Sequence, residues 1–164
     1  MARSFTNSEA LLAAIRKEMQ SAMDEVESKG YLAAVKNAGD FYSQGHPNRY
    51  KRTHSYGNSA KSTGVIGSGD HLETEIYLDT GFNYSTGSWS TPKIFDAIEF
   101  GDGGVLGKTG RWQQTEEDVE RIINEAFVKR FGQPFASPDL LTTYGVYHNG
   151  QIRQIRPLQF HKLK

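Results

Sequence analysis

The most constraining feature of the sequence is an apolar pattern with helical spacing near its start. Apolar residues recur three and four positions apart, at Leu11, Leu12, Ile15, Met19, Met23 and Val26. This spacing places them on one face of an α-helix, which we expect to pack against a core. The pattern predicts one long helix over residues 7–43. Thr6 and Glu9 have the spacing of a capping box at its start, and Gly30 predicts a kink or a division within it.

A second helix is predicted near residue 115. Thr115 and Asp118 have capping-box spacing, and Gly132 and Pro134 are typical of a helix end. Between them lies one apolar face, formed by Val119, Ile122, Ile123, Ala126 and Phe127.

The rest of the chain favours strands and loops. Residues 72–79 alternate with the period of a half-buried strand, with Leu72, Thr74, Ile76 and Leu78 on one side. We expect a strand end plus a loop over 80–92, a short strand or turn over 93–100 and a glycine-rich loop over 101–110. Residues 141–156 predict a hairpin, because Asn149-Gly150 suits a tight type I′ turn. The order of elements predicts an α+β fold, with an antiparallel sheet packed by the two helices and a C-terminal hairpin extension.

Length and composition are those of one folded domain. The chain has 164 residues, of which 12% are aromatic, and that share argues against general disorder. We expect a single domain over 1–164, with a core at about 7–131 and an extension over 132–164. There is no cysteine, which excludes disulfides and thiolate chemistry. Glu9 and Arg16 fall where a signal peptide needs its apolar core, and no stretch of about 18 apolar residues occurs, so we expect a soluble, unexported protein without a membrane partner.

Residues 43–69 form a long stretch rich in glycine and hydroxyl side chains. Long irregular loops in compact domains tend to be functional, and this one contains Arg49, Tyr50, Lys51, Arg52 and Tyr56. We expect it to be an arm that touches a partner. Together with Asn149 in the predicted hairpin, these residues are the candidate assembly interface.

Motifs for catalysis are weak. Gly107-Lys108-Thr109 matches the end of a phosphate-binding loop, but Asp102 stands where that loop needs a glycine. The five histidines lack the spacing of a helical metal pair, and no nucleophile-elbow motif is present. We expect no catalytic residue, metal or cofactor, and therefore no enzyme.

The charges are segregated along the chain although the formal net charge is zero. Residues 1–69 hold nine basic and six acidic residues, 70–132 hold six and twelve, and 133–164 hold four and one. Basic ends therefore flank an acidic middle. Such asymmetry suits contacts between unlike faces of identical subunits, although an ordinary solvated surface accounts for it equally well.

The order of these features resembles the neck and tail-completion family of small head-tail joining proteins of tailed bacteriophages. The resemblance covers residues 7–131 and is carried by Tyr50-Lys51-Arg52-Thr53 ahead of the first strand and by Glu99-Phe100-Gly101 ahead of the last helix. Two positions depart from the family pattern. His54 stands where a glycine is common, and Asp102 where a threonine is usual.

The resemblance implies a structural virion protein without chemistry of its own. Such a subunit assembles with copies of itself in a ring around the DNA channel in the virion and can be a monomer in solution. It joins head to tail and contacts head-closure, tail-terminator or tail-tube proteins, with only incidental contact to DNA. It would be assembled in the host cytoplasm and located in the virion. The alternative is a nucleic-acid-binding or other phage accessory protein, since cations interleaved with tyrosines also suit phosphate contacts.

Overall fold

The fold is shown by a computed structural model that describes residues 7–69, 71–81 and 89–132. A long helix is followed by four short strands and two further helices. Their bounds are α1 Ser8–Asp40 with a 3₁₀ turn Phe41–Ser43, β1 Ala60–Ser62, β2 Ile66–Ser68, β3 His71–Glu73, β4 Ile76–Leu78, α2 Thr91–Phe100 and α3 Arg111–Phe131.

Helix α1 and its 3₁₀ turn fill the range predicted for the first helix. The cap is at Asn7, whose side-chain oxygen accepts a hydrogen bond from the backbone N–H of Ala10 at 2.8 Å. Asn7 therefore satisfies a free N–H at the helix start. Thr6 lies outside the described residues.

The division that Gly30 predicted is wrong, because α1 runs through this residue without interruption. Gly30 is buried where a strand and a helix both approach α1. A Cβ atom built on it would lie 2.5 Å from Cδ1 of Ile76 in β4 and 3.3 Å from Cγ2 of Val119 in α3. The glycine therefore allows Ile76 and Val119 to lie close to the backbone of α1.

Helix α3 begins at Arg111, four residues earlier than the sequence predicted. The Glu99 carboxylate caps it from outside by accepting hydrogen bonds from the N–H groups of Trp112 and Gln113, at 2.9 and 3.1 Å. Thr115 is an interior residue and is buried. The predicted end is confirmed at Gly132, whose φ of 71° is in the left-handed region that glycine favours.

Two polar contacts fix α3 antiparallel to α1. At one end the Arg130 guanidinium contacts the Glu25 carboxylate at 2.7 Å, and at the other the Asn37 amide donates to Thr115 Oγ1 and Asp118 Oδ2. The Lys29 ammonium and the Arg130 guanidinium lower the pKa of Glu25 to about 2. The Asn37 hydrogen bond likewise lowers the pKa of Asp118. Both carboxylates therefore remain charged to a lower pH than ordinary carboxyl groups do.

The strands form two antiparallel ladders, β1 with β4 and β2 with β3. Between the pairs Ser62–Ile76 and Ile66–Glu73 one strand advances four residues and the other three. One extra residue on one strand is typical of a β-bulge, and it separates the two ladders. The predicted strand 72–79 is thus divided into β3 and β4, although its expected inner residues Leu72 and Thr74 are buried.

The expectation of a strand or turn over 93–100 is wrong, because α2 occupies Thr91–Phe100. Pro92 lies in its first turn, where the missing N–H costs nothing. Phe95 and Ile98, three residues apart, face the core. This spacing in the sequence also fits a helix, but the segment is short enough to be mistaken for a strand.

The buried residues form two clusters along α1. The first joins α1 to α3 and β3 through Ala22, Met23, Val26, Leu72, Val119, Ile122, Ile123, Ala126 and Phe127. The second surrounds the C-terminal end of α1 and contains Ala38, Phe41, Tyr56, Phe95 and Ile98. The predicted α+β class is confirmed, with two small sheets instead of one. The predicted hairpin lies outside the described residues.

The first part of the apolar stripe on α1 is not in the core. Met23 and Val26 are 1% and 0% exposed, whereas Leu11, Leu12 and Ile15 are 41%, 49% and 38% exposed. Arg130, next to the last residue of α3, is opposite Glu25, so α3 ends before it reaches residues 8–18 of α1. These residues extend about 16 Å beyond it. The stripe formed by Leu11, Leu12 and Ile15 is called the overhang stripe below.

Two glycines of α1 provide a matched test of this packing. Gly30→Val should lower the free energy of unfolding by about 1–3 kcal/mol, because the added methyl groups overpack the contact with Ile76 and Val119. Gly39→Ala should raise it by about 0.4–1 kcal/mol, because its Cβ meets no atom within 4 Å and the unfolded chain loses freedom. Urea unfolding followed by circular dichroism measures both. Equal stability of the two variants would contradict the close approach at Gly30.

Candidate interaction surface

Arg52 organises the segment that follows α1. Its guanidinium donates hydrogen bonds to three backbone carbonyls, those of Tyr42 at 3.1 Å, Gln44 at 2.7 Å and Leu106 at 2.8 Å. It also lies over the Phe41 and Tyr42 rings, 5.8 and 5.5 Å from their centroids. The planar guanidinium can satisfy several acceptors in fixed directions at once. Arg52 therefore joins the end of α1, the 43–59 loop and the 101–110 loop.

Tyr50 provides a second link between the same loops. Its hydroxyl oxygen accepts a hydrogen bond from the Leu106 N–H at 3.2 Å. Both side chains remain 44% exposed. Tyr50 and Leu106 are thus held next to each other and open to contact.

A cluster of charged side chains connects the end of α1 to the 101–110 loop and to the start of α3. The Asp40 carboxylate contacts the Lys108 ammonium at 2.6 Å and the Arg111 guanidinium at 3.0 Å. The hydrogen bond from Lys108 is the main reason that the pKa of Asp40 is lowered. Gly107 lies against the Phe41 ring, where a Cβ would clash with it. In this fold the segment Gly107-Lys108-Thr109 therefore connects the 101–110 loop to the end of α1.

Tyr56 was expected at the interface, and this prediction is wrong. It is only 3% exposed and packs edge-on against Phe41 and Phe95, at 5.6 and 5.3 Å between ring centroids. Burial raises the pKa of its hydroxyl. An aromatic residue beside a glycine and a serine in a polar stretch has no sequence signal that separates a core anchor from an exposed contact.

The expected arm over 43–69 is packed onto the protein, as a loop up to residue 59 and as strands β1 and β2 beyond it. Arg52 and Tyr56 hold it, while Arg49, Tyr50 and Lys51 are exposed. We call the surface formed by Arg49, Tyr50, Lys51 and Leu106 the loop face. Asn149 lies outside the described residues.

Sequence reasoning missed one member of the loop face and one further exposed apolar surface. Leu106 is in a glycine-rich loop far along the chain and reaches Tyr50 only through the fold. The overhang stripe was assigned to the core. The predicted first helix is, however, longer than the predicted second helix, which therefore cannot cover it along its whole length.

Other kinds of site were sought in the part of the chain that the structure describes. There, no three His, Asp or Glu side chains come together in a way that would hold a metal ion. Over 7–69, 71–81 and 89–132, no helix is both long and apolar enough to cross a membrane.

Comparisons of the chain with models of protein families, with curated proteins and with solved structures found no match.

The role of Arg52 is tested by the conservative change Arg52→Lys. We expect the free energy of unfolding to fall by about 1 kcal/mol, because an ammonium cannot span three carbonyls at once and does not stack on the Phe41 and Tyr42 rings as the planar guanidinium does. Arg49→Ala and Lys51→Ala are the matched controls, each expected to change it by less than about 0.5 kcal/mol because the side chains are exposed. Chemical denaturation measures all three. Equal effects at the three positions would contradict the distinct role of Arg52.

Proposed function

We propose that this protein is a structural subunit of a tailed-bacteriophage virion that works without catalysis at the neck, where head and tail join. It acts by binding copies of itself in a ring around the DNA channel and by binding head-closure or tail components. The proposal combines the resemblance described above with the exposed surfaces of the fold.

The observation that carries the proposal is the backbone at residue 54. The resemblance implies a glycine at this position, and His54 has a φ of 60°. This left-handed conformation is one that glycine adopts without strain and that most other residues adopt rarely, although histidine does so more often than most. At residue 54 the backbone has a conformation that favours glycine, and the family commonly has a glycine there. The backbone therefore supports the resemblance although the residue itself is a histidine.

The loop face supports a role in binding. Arg52 and Tyr50 fix the loop in one conformation, so little conformational entropy is lost when a partner docks. Arg49 and Lys51 remain exposed on either side of Tyr50. Arginine and tyrosine are enriched among the residues that dominate interface energies.

Lys108 of the phosphate-loop-like motif and Glu99 both have structural partners. Lys108 is paired with Asp40, which also contacts Arg111. The Glu99 carboxylate accepts hydrogen bonds at the N-terminus of α3. These contacts explain the presence of both side chains, so no substrate is needed to explain them.

The proposal predicts that Arg49→Ala with Lys51→Ala in the parent phage reduces head-tail joining. Electron microscopy of lysates should show separate filled heads and tails in excess over complete particles, because the cations that contact a neighbour are lost. Arg52 stays unchanged because its replacement would alter the fold.

The control for this experiment is Lys36→Ala with Lys61→Ala, which removes two exposed cations elsewhere on the protein. That variant should give a normal yield of complete particles. A normal yield from the Arg49 and Lys51 variant as well would exclude the loop face from joining. Salt-dependent DNA binding by the isolated protein, lost in the Arg49 and Lys51 variant, would favour the nucleic-acid-binding alternative.

A further inference from the structure

The overhang stripe is an apolar surface that α3 leaves uncovered. Leu11, Leu12 and Ile15 continue the face of α1 whose later residues Met23 and Val26 are buried. Three neighbouring large side chains, each more than a third exposed, are typical of a contact site rather than of scattered surface residues.

Helix α3 exposes apolar surface at the same end of the molecule. Phe131, its last residue, is 39% exposed and stacks on Phe127, with 5.8 Å between the ring centroids. Since Phe127 is buried in the first cluster, Phe131 continues the apolar face of α3 beyond the core, as the overhang stripe does for α1. Arg130 contacts Glu25, so Phe131 lies near the point where the overhang of α1 begins.

The chain also leaves α3 at this end. Helix α3 is antiparallel to α1 and ends at Gly132, so the residues that follow start next to the overhang. Ile15 lies about 15 Å along α1 from Glu25, the residue opposite the end of α3. About five extended residues cover that distance. Residues 133–164 are therefore long enough to reach the stripe and to pack along it.

The sequence of 133–164, which lies outside the described residues, favours docking on an apolar surface. In the hairpin predicted over 141–156, a two-residue turn at Asn149-Gly150 places Tyr144, Val146 and Ile155 on one face. An isolated hairpin is at best marginally stable in water and gains stability when its apolar face packs against a helix. The overhang stripe is a helical surface of this kind.

The charges beside the stripe do not select a partner. Glu9 is exposed before it, and Arg16 and Lys17 are exposed next to Ile15, so both signs are present. Apolar contact is therefore what the stripe offers. A segment of the same chain has an advantage over a separate protein, because a short connection keeps it at an effective concentration on the order of millimolar.

We propose that residues 133–164 dock on the overhang stripe and on Phe131 of their own molecule, through the face of the predicted hairpin that carries Tyr144, Val146 and Ile155. The inference goes beyond the proposed function and does not depend on it. It implies that the loop face, rather than the overhang stripe, is the apolar surface that other proteins reach first.

Photocrosslinking of the full-length protein tests the contact directly. Leu12 is replaced by p-benzoylphenylalanine, an apolar residue that bonds to neighbouring groups when irradiated, and the products are mapped by mass spectrometry. We expect crosslinks to residues 133–164. The same photoreactive residue in place of Leu32, which is exposed on α1 outside the stripe, should give none to this segment.

Isotope mixing identifies which molecule supplies the segment. Protein labelled with heavy nitrogen is mixed with unlabelled protein before irradiation. Crosslinks within one isotope only are expected, because the contact is intramolecular. Crosslinks to residues 133–164 that join the two isotopes would show exchange of the segment between copies and would overturn the inference.

Thiol reactivity provides an independent test, because the chain has no cysteine of its own. The rate of thiol modification is measured for Leu12→Cys with and without Val146→Glu and Ile155→Glu. These two changes place charge on the docking face and should raise the rate about tenfold or more, because burial of the stripe is lost. The rate for Leu32→Cys should be the same in both backgrounds.

The matched control background is Thr143→Glu with Gln154→Glu, which adds the same two charges to the opposite face of the predicted hairpin. It should leave the thiol rate at residue 12 unchanged. Circular dichroism identifies any variant that fails to fold, and in that case the crosslinks of the otherwise unchanged chain decide.

Two further results would overturn the inference. Crosslinks from residue 12 to the loop face or to the stripe of another copy would show a different occupant. A thiol at residue 12 that reacts equally fast in all backgrounds, without crosslinks to 133–164, would show that this segment does not cover the stripe. Neither result bears on the proposed function, which the Arg49 and Lys51 variant tests separately.

Discussion

The structure depends on the close approach of β4 and α3 to α1 at Gly30. The absence of a side chain at this residue lets Ile76 and Val119 meet the helix backbone, and the first buried cluster forms around that contact. Glu25 with Arg130 and Asn37 with Asp118 then fix how far α3 runs along α1. The position of α3 along α1 that forms the core also leaves the start of α1 uncovered by α3. The packing of the core therefore determines that the overhang stripe is exposed.

Local patterns predicted the elements whose signal is strong over many residues. Helix α1, the end of α3 at Gly132 and the alternating burial of Leu72 and Thr74 follow from periodicity and from glycine at a helix end. The start of α3 was misplaced, because its cap comes from Glu99 in another helix. The short helix α2 was missed because ten residues give too few turns to separate helical from extended spacing.

The candidate interaction surface was also only partly predictable from the sequence. A run of basic and aromatic residues identifies a region, but not which of its side chains point outward. Arg52 and Tyr56 are used to fix the loop, whereas Arg49, Tyr50 and Lys51 are presented by it. Leu106, separated from Tyr50 by a large part of the chain, joins them through a hydrogen bond that only the tertiary structure reveals.

The central claim is that these surfaces bind other virion proteins. Quantitative mass spectrometry of purified infectious particles tests it most directly, with separated heads and tails as reference fractions. The account predicts the protein in every complete particle at a fixed number of copies relative to the other neck components. Complete, infectious particles that contain none of it would contradict the account.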